Sequence, residues 1–181
     1  QGSLLAVKRL GLTSDECVEV GGPFRPCKQT VRRDIYRKAA ERLVEEGKAY
    51  PCFGSPEKLA ADRQAARDRH DPFQGYQRTC RGIDPAEAAQ RVAAGEPHTI
   101  RIKVPEGRGD VVIDDAVHGR VVFNAQELDD FIIIRSDGTP TYNFTTVVDD
   151  AMMKITHVIR GDDHLSNTPR QIMVYEALGM P

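Results

Sequence analysis

The apolar positions of this chain change their period partway along it, and that change predicts the layout. Up to Gly95 they recur at helical spacing; beyond it they alternate or run together as in strands. Ser3 to Leu10 carries Leu4, Leu5 and Val7 on a short helix that Gly11 ends. Residues 13–29, containing V-G-G-P-F-R-P, read as a loop. Thr30 opens a longer helix with Ile35, Ala39, Leu43 and Val44 as its apolar stripe and Gly47 as its stop. Ser55-Pro56-Glu57 and Asp84-Pro85-Ala86-Glu87 each place a capping side chain before a proline at the first helical position, where a missing N–H does no harm. Between them, residues 68–82 mix Pro, Gly and alternating charge and read as a long loop.

In the second half, H-T-I-R-I-K-V (98–104) alternates, with Ile100, Ile102 and Val104 on one face. V-V-I (111–113) and R-V-V-F (120–123) flank His118-Gly119 as a hairpin. F-I-I-I-R (131–135) is a continuous apolar run before the turn Ser136-Asp137-Gly138-Thr139-Pro140. Tyr142 to Met152 reads as a helix, and I-T-H-V-I (155–159) as a strand buried on both faces. Thr168-Pro169-Arg170-Gln171 supplies a cap, a first-turn proline and the glutamine of a capping box for a last helix closed by Gly179. The order predicts an α/β protein: helices, a β-rich insert, then strand–helix–strand–helix.

Length and charge refine this only slightly. The 181 residues suffice for one large domain, or one domain with a smaller insert. No run of about 18 apolar residues suggests a membrane span. The chain starts Gln1-Gly2-Ser3 and stops at Met180-Pro181, and is expected to be a piece of something longer. Cys17, Cys27, Cys52 and Cys80, far apart and without an export signal, point to reduced thiols and a cytoplasmic protein. The net charge of −2 excludes a polycationic nucleic-acid coat. Lys28 to Arg81 nevertheless holds 13 basic against 8 acidic residues, a local +5 that suits either a phosphate backbone or a solvated helix face.

The chemistry concentrates in I-T-H-V-I-R-G-D-D-H-L-S-N-T-P-R-Q. At the end of a strand and the start of a helix, Arg160, Gly161, Asp162, Asp163 and His164 lie where open α/β sheets gather ligands. Arginine grips carboxylates bidentately, and a helix N-terminus favours anions. The alternative is a structural network in which Arg160 pairs with Asp149, Asp150, Asp162 or Asp163.

The run G-T-P-T-Y-N-F-T-T-V-V-D-D-A-M-M-K-I-T-H-V-I-R-G-D-D-H-L-S-N-T-P-R-Q resembles the second half of the catalytic domain of bacterial-type glutamyl-tRNA synthetases, which are class I enzymes. Q-T-V-R-R-D-I-Y, E-G-K-A-Y-P-C-F and the opening L-L-A-V-K-R-L-G-L-T-S-D-E extend the resemblance over essentially the whole chain. It implies part of a Rossmann-like catalytic domain: 1–49 ends its first half, 50–137 is an inserted acceptor-stem-binding domain of α+β type, and 138–181 begins its second half. It implies ATP-driven activation of L-glutamate, with Mg²⁺, and transfer to tRNA(Glu). Tyr142 and Thr146 then fall on the glutamate pocket, with Arg160 on the substrate carboxylate. Gly161, Asp162, Asp163 and His164 fall on the ATP segment, Asp162 standing in for the family's usual glutamate. Arg63, Arg67, Arg69, Arg78 and Arg81 become candidate tRNA contacts. No side-chain nucleophile is implied, so no catalytic residue is assigned.

Two parts of the family pattern are missing. Neither an H-I-G-H-like nor a K-M-S-K-S-like ATP signature occurs, so the chain alone is expected to activate glutamate negligibly. Many relatives bind zinc with C-x-C and C-x-H or C-x-Y pairs. Here those places read Cys52-Phe53-Gly54 and Cys80-Arg81-Gly82, with His70 an out-of-pattern third candidate, and no zinc is expected. Cys17 and Cys27 read as incidental loop thiols; His98, His118 and His157 read as structural or solvated. The rival functions are a shorter paralogue that glutamylates a modified tRNA base, and a non-catalytic tRNA-binding module.

Overall fold

The structure, a computed structural model, describes residues 8–16, 18–125 and 128–180. Most of the helix expected over Ser3 to Leu10, and Cys17, lie outside the described residues. The elements form because capping and burial agree. A 3₁₀ turn, Gln29–Val31, leads into α1, Arg33–Glu45. Its buried residues are Tyr36, Ala40 and Leu43, while Ile35, Ala39 and Val44 are only partly buried against the core. The stripe is therefore centred one residue later than its aliphatic residues suggest, because Tyr36 has a buried polar partner described below. α2, Pro56–Asp68, starts at Ser55, whose hydroxyl accepts from the Lys58 amide, and α3, Pro85–Ala93, starts at Asp84, whose carboxylate accepts from the Ala86 and Glu87 amides.

Two sheets follow. β1, Ala49–Cys52, pairs antiparallel with β2, Thr99–Ile102, which pairs antiparallel with β5, Ile132–Ile134, in the order β1-β2-β5. Pro51 is tolerated in β1 because that strand is at an edge of its sheet. β3, Val111–Asp115, and β4, Gly119–Phe123, form a separate hairpin, with Gly119 at φ +70° in its turn. α4, Tyr142–Met152, a 3₁₀ turn over Asp162–Asn167 and α5, Thr168–Leu178, complete the chain, and Gly179 ends α5 in the left-handed region at φ +63°. The main core joins Tyr36, Ala40 and Leu43 of α1, Ile102 and Ile133 of the sheet, Phe144, Val147 and Val148 of α4, and Met173, Val174 and Leu178 of α5. Each large side chain sealed there contributes about 1.5–3 kcal/mol.

Arg101, which alternates with Ile100 and Ile102 along β2, is only 2% exposed: it donates to the Asp130 carbonyl at 2.7 Å and stacks over the Tyr76 ring at 3.8 Å. Both faces of β2 are covered, and alternation alone cannot reveal that. The strand expected at 155–159 is not formed. Those residues are extended without a ladder, and Ile155, Val158 and Ile159 are exposed, Ile159 by 98%. A continuous apolar run makes a buried strand only if a neighbour pairs with its backbone; among the described residues the amides of Thr156 to Arg160 have no backbone partner.

Candidate functional site

Arg160 lies half-buried between this extended segment and α5. Its guanidinium donates to Gln171 Oε1 at 2.8 Å and to Thr168 Oγ1. Both are the residues that the sequence assigns to a capping box. In the structure Asn167 takes the cap position without a side-chain capping bond, and the Thr168 and Gln171 side chains turn to the arginine instead. Gln171 in turn donates from Nε2 to Asn143 Oδ1 at 3.3 Å, tying the arginine to the first turn of α4. Among the described residues no carboxylate oxygen lies within 4 Å of Arg160, so the expected alternative of an internal ion pair with Asp149, Asp150, Asp162 or Asp163 does not form. A cation held by two neutral acceptors keeps its full charge for an incoming anion.

The guanidinium opens on a hollow of about 360 Å³ whose other wall is the turn of the β3–β4 hairpin, from Asp114 to His118. Asp115 fixes that turn by accepting from the Val117 and His118 amides, both at 2.8 Å; those bonds hold its carboxyl below the usual range. Across the hollow, His118 Nε2 and Asp162 Oδ1 lie 2.9 Å apart, and this pairing raises the histidine above its ordinary value. His118, read from sequence as structural or solvated, therefore reaches the candidate site, and the Asp162 carboxylate is turned to it rather than to Arg160. Asp150 faces the same region from α4; burial, then the Asp149 charge, raises its carboxyl, and Arg160 opposes the shift.

Of the remaining candidates, Tyr142 is half exposed and stacks obliquely with His164, the ring centroids 5.8 Å apart. Tyr142 does not line the hollow at Arg160. Thr146 is half-buried one turn along α4. Asp163 is 3.6 Å from His164 Nε2, and a Cβ on Gly161 would meet only the movable Asp163 carboxylate. The structure thus brings Arg160, Gly161 and Asp162 to one hollow, with Tyr142 and His164 paired beside it.

Sequence reasoning missed a second arginine. Arg32, 2% exposed, donates through Nε to Asp149 Oδ1 at 2.7 Å and through Nη1 to the Pro26 carbonyl at 3.0 Å. The Tyr36 hydroxyl is 2.8 Å from both Asp149 oxygens, and Gln29 Nε2 is 3.3 Å from one of them. Burial, then the Asp149 carboxylate, pushes the Tyr36 hydroxyl well up. The signal was present as arginine and tyrosine one helical turn apart in R-R-D-I-Y, on the side of α1 that the aliphatic stripe obscures.

The family model described as tRNA synthetases class I (E and Q), catalytic domain, matches residues 3–181. The chain belongs to that family. Glutamate–tRNA ligases from Heliobacterium modesticaldum and Aquifex aeolicus are 50% and 51% identical to it, over 97% and 85% of this chain. The chain spans 35% and 32% of their lengths. A crystal structure of a glutamate tRNA ligase from Elizabethkingia meningosepticum in complex with its amino acid superposes with a TM-score of 0.85 at 33% identity, covering 98% of this chain and 36% of that one. The mixed helix–strand architecture is thus that of part of a class I synthetase catalytic domain.

In this synthetase chain the five candidate tRNA arginines divide. Arg81 donates to Asp130, itself fully buried, and to the Val104 carbonyl; Arg78 is 3.5 Å from the same carboxylate; Arg69 pairs with Asp71 at 2.8 Å. Among the described residues Arg63 and Arg67 have no side-chain partner, so their charge is open to solvent. Cys52 and Cys80 are both buried around Tyr76, whose hydroxyl receives the Cys52 thiol at 3.3 Å and the Cys80 amide at 2.9 Å. No group of three or more His, Cys, Asp or Glu converges among the described residues. Nor is any described helix long and apolar enough to cross a membrane.

Proposed function

We propose that this chain supplies the amino-acid-binding part of a glutamate–tRNA ligase, which joins L-glutamate to tRNA(Glu) using ATP. In this reading Arg160 receives a substrate carboxylate in the hollow beside the hairpin. The names of its relatives and the amino-acid complex of the Elizabethkingia structure support that reading. The observation that carries it is the guanidinium held by Gln171 and Thr168, without a carboxylate partner among the described residues. A carboxylate gripped by arginine is a poor nucleophile, so the gripped group is the side-chain carboxylate and the α-carboxylate remains free to react. In the same reading the acid extends from the hollow toward Tyr142 and Thr146 of α4, and Gly161, Asp162, Asp163 and His164 form the edge toward the nucleotide. ATP, accompanied by Mg²⁺, supplies the activating phosphoanhydride; the residues named here bind and orient the acid.

The division into 1–49, 50–137 and 138–181 belongs to the same proposal. β1 and β5 flank β2, so the insert leaves and rejoins the catalytic part through one sheet. Part of its core is continuous with that of α1 and α4, while Tyr50, Cys52, Tyr76 and Cys80 form a second buried cluster within the insert. The test is glutamate affinity of the chain and of Arg160→Ala by titration calorimetry. Removing the charged partner is expected to cost about 2–5 kcal/mol, or roughly 30-fold and more in affinity. Equal affinity in the two proteins would sink the assignment.

A further inference from the structure

A second cavity, of about 450 Å³, lies between the C-terminal half of α1, the length of α3 and the strands β1 and β2. That is the size of a small-molecule site. Its apolar part is built from Val44 of α1, Ile100 of β2 and Ala88, Ala89, Val92 and Ala93 of α3. Those α3 side chains are short, and Ala88 is the one fully buried residue of the helix, so a gap is left between α3 and its neighbours. The polar groups of the lining divide into committed and free ones. The Tyr50 hydroxyl and Arg81 are both bonded to Asp130, at 2.8 and 3.0 Å, and His98 Nδ1 lies 2.9 Å from the Glu96 carbonyl. Glu41 and Glu45, one helical turn apart on α1, are exposed at the mouth. Glu45 has no side-chain partner among the described residues, and Glu41 has a loose 3.6 Å pair with the exposed Arg37. Lys103, the other cation of the lining, has no carboxylate partner among the described residues; its ammonium sits 5.8 Å from the centre of the Tyr50 ring.

The free charges set the sign of a ligand. Two carboxylates against one ammonium leave the mouth net negative, and Glu45 ends α1, where the helix dipole adds partial negative charge. A cation arriving there relieves the repulsion of two like charges spaced by one turn. An anion has to pass both carboxylates before it meets Lys103. The walls behind the mouth are alkyl groups, so the rest of the ligand must be apolar to gain from entering.

We propose that this cavity binds a small apolar ammonium compound, its hydrocarbon body between α3 and β2 and its ammonium at Glu41 and Glu45. An arylalkylamine is the class that fits. The site shares no lining residue with the hollow at Arg160, so it stands whether or not that hollow takes glutamate.

Titrations of the chain with 4-phenylbutylamine, 4-phenylbutyrate and n-butylamine, followed by amide chemical shifts, test it. The arylamine is expected to bind with a Kd on the order of 1 mM or tighter, the scale for a ligand of its size, and to shift the amides of Ala89, Val92 and Ile100. The acid, with the same body and the opposite charge, and the amine without the ring are each expected to bind about 10-fold more weakly. Glu45→Gln is expected to weaken the arylamine about 3-fold, and Glu41→Gln with Glu45→Gln about 10-fold, as for exposed ion pairs. Ala89→Leu, at an exposed helical position that accepts leucine, fills the gap and is expected to weaken it more than about 10-fold. Unchanged melting temperatures show that the variants fold, and glutamate affinity is expected to stay at the parent value in all of them. The acid binding as tightly as the arylamine overturns the proposal, as does parent-like affinity in the double glutamate variant or in Ala89→Leu. So does no arylamine binding at all, or shifts gathered around Arg160 instead of α3.

Discussion

Arg32 and Arg160 are both drawn out of bulk water beside α4, yet they are treated in opposite ways. Arg32 is saturated: a carboxylate, a backbone carbonyl and the Met152 sulfur surround it, and Tyr36 shares the carboxylate. Arg160 has two neutral acceptors and an open side. Burying an ion pair returns little net stability, but removing one partner leaves a stranded charge, so Arg32 serves to hold α1 against α4. Holding Arg160 with neutral groups returns even less stability and leaves a field in the hollow for a ligand to meet. The difference teaches how to separate a structural arginine from a binding one: count the carboxylates, not the hydrogen bonds.

The sharpest way to break the comparison is Arg32→Ala. It strands Asp149 in the interior and is expected to lower unfolding stability by about 3–5 kcal/mol in a denaturant titration. Arg160→Ala should be the mirror image, shifting stability by less than about 1 kcal/mol while glutamate affinity falls as stated above. Next in size is Gln171→Leu, which removes the bond at Nη1 and the link to Asn143. Glutamate affinity is expected to fall about 5–10-fold by calorimetry, or about 1–1.4 kcal/mol, the scale of one ordinary hydrogen bond. Unchanged affinity would show that the arginine needs no holder.

The smallest effect concerns His118, which keeps Asp162 away from Arg160. The group is exposed, with Asp162 and Asp115 as its acidic neighbours. Its folded-state value is raised, so its contribution to stability is full below the ordinary 6.5 and is lost as pH rises through the raised value. Melting temperatures of the parent and His118→Gln, compared from pH 5.5 to 8.5, should therefore differ most at the acid end and converge above neutrality. A difference that grows with pH would show that Asp162 is not the histidine's partner.

Helices were legible where capping and period agreed, as at Ser55 and Asp84, and Tyr142–Met152 was legible from its pattern alone. The hairpin around His118-Gly119 was legible from two short apolar runs flanking a glycine turn. The segment 155–159 was not, because an apolar run states a preference for burial but not whether a partner strand is present. Arg160 could be singled out from its position; its holders could not, because Thr168 and Gln171 fit a capping box equally well, and only the arriving guanidinium decides between those uses. Arg78 and Arg81 failed as free cations for a similar reason: nothing in their local sequence announces Asp130, some fifty residues away, as their partner.

The unladdered run from Ile155 to Ile159 has a practical consequence. From Thr156 onward its amides have no backbone partner among the described residues, and they are flanked by exposed branched side chains, the template on which sheets grow between molecules. Handled at high concentration, the isolated polypeptide will clump through this edge, and a charge placed at Val158 or Ile159 is the gentlest remedy.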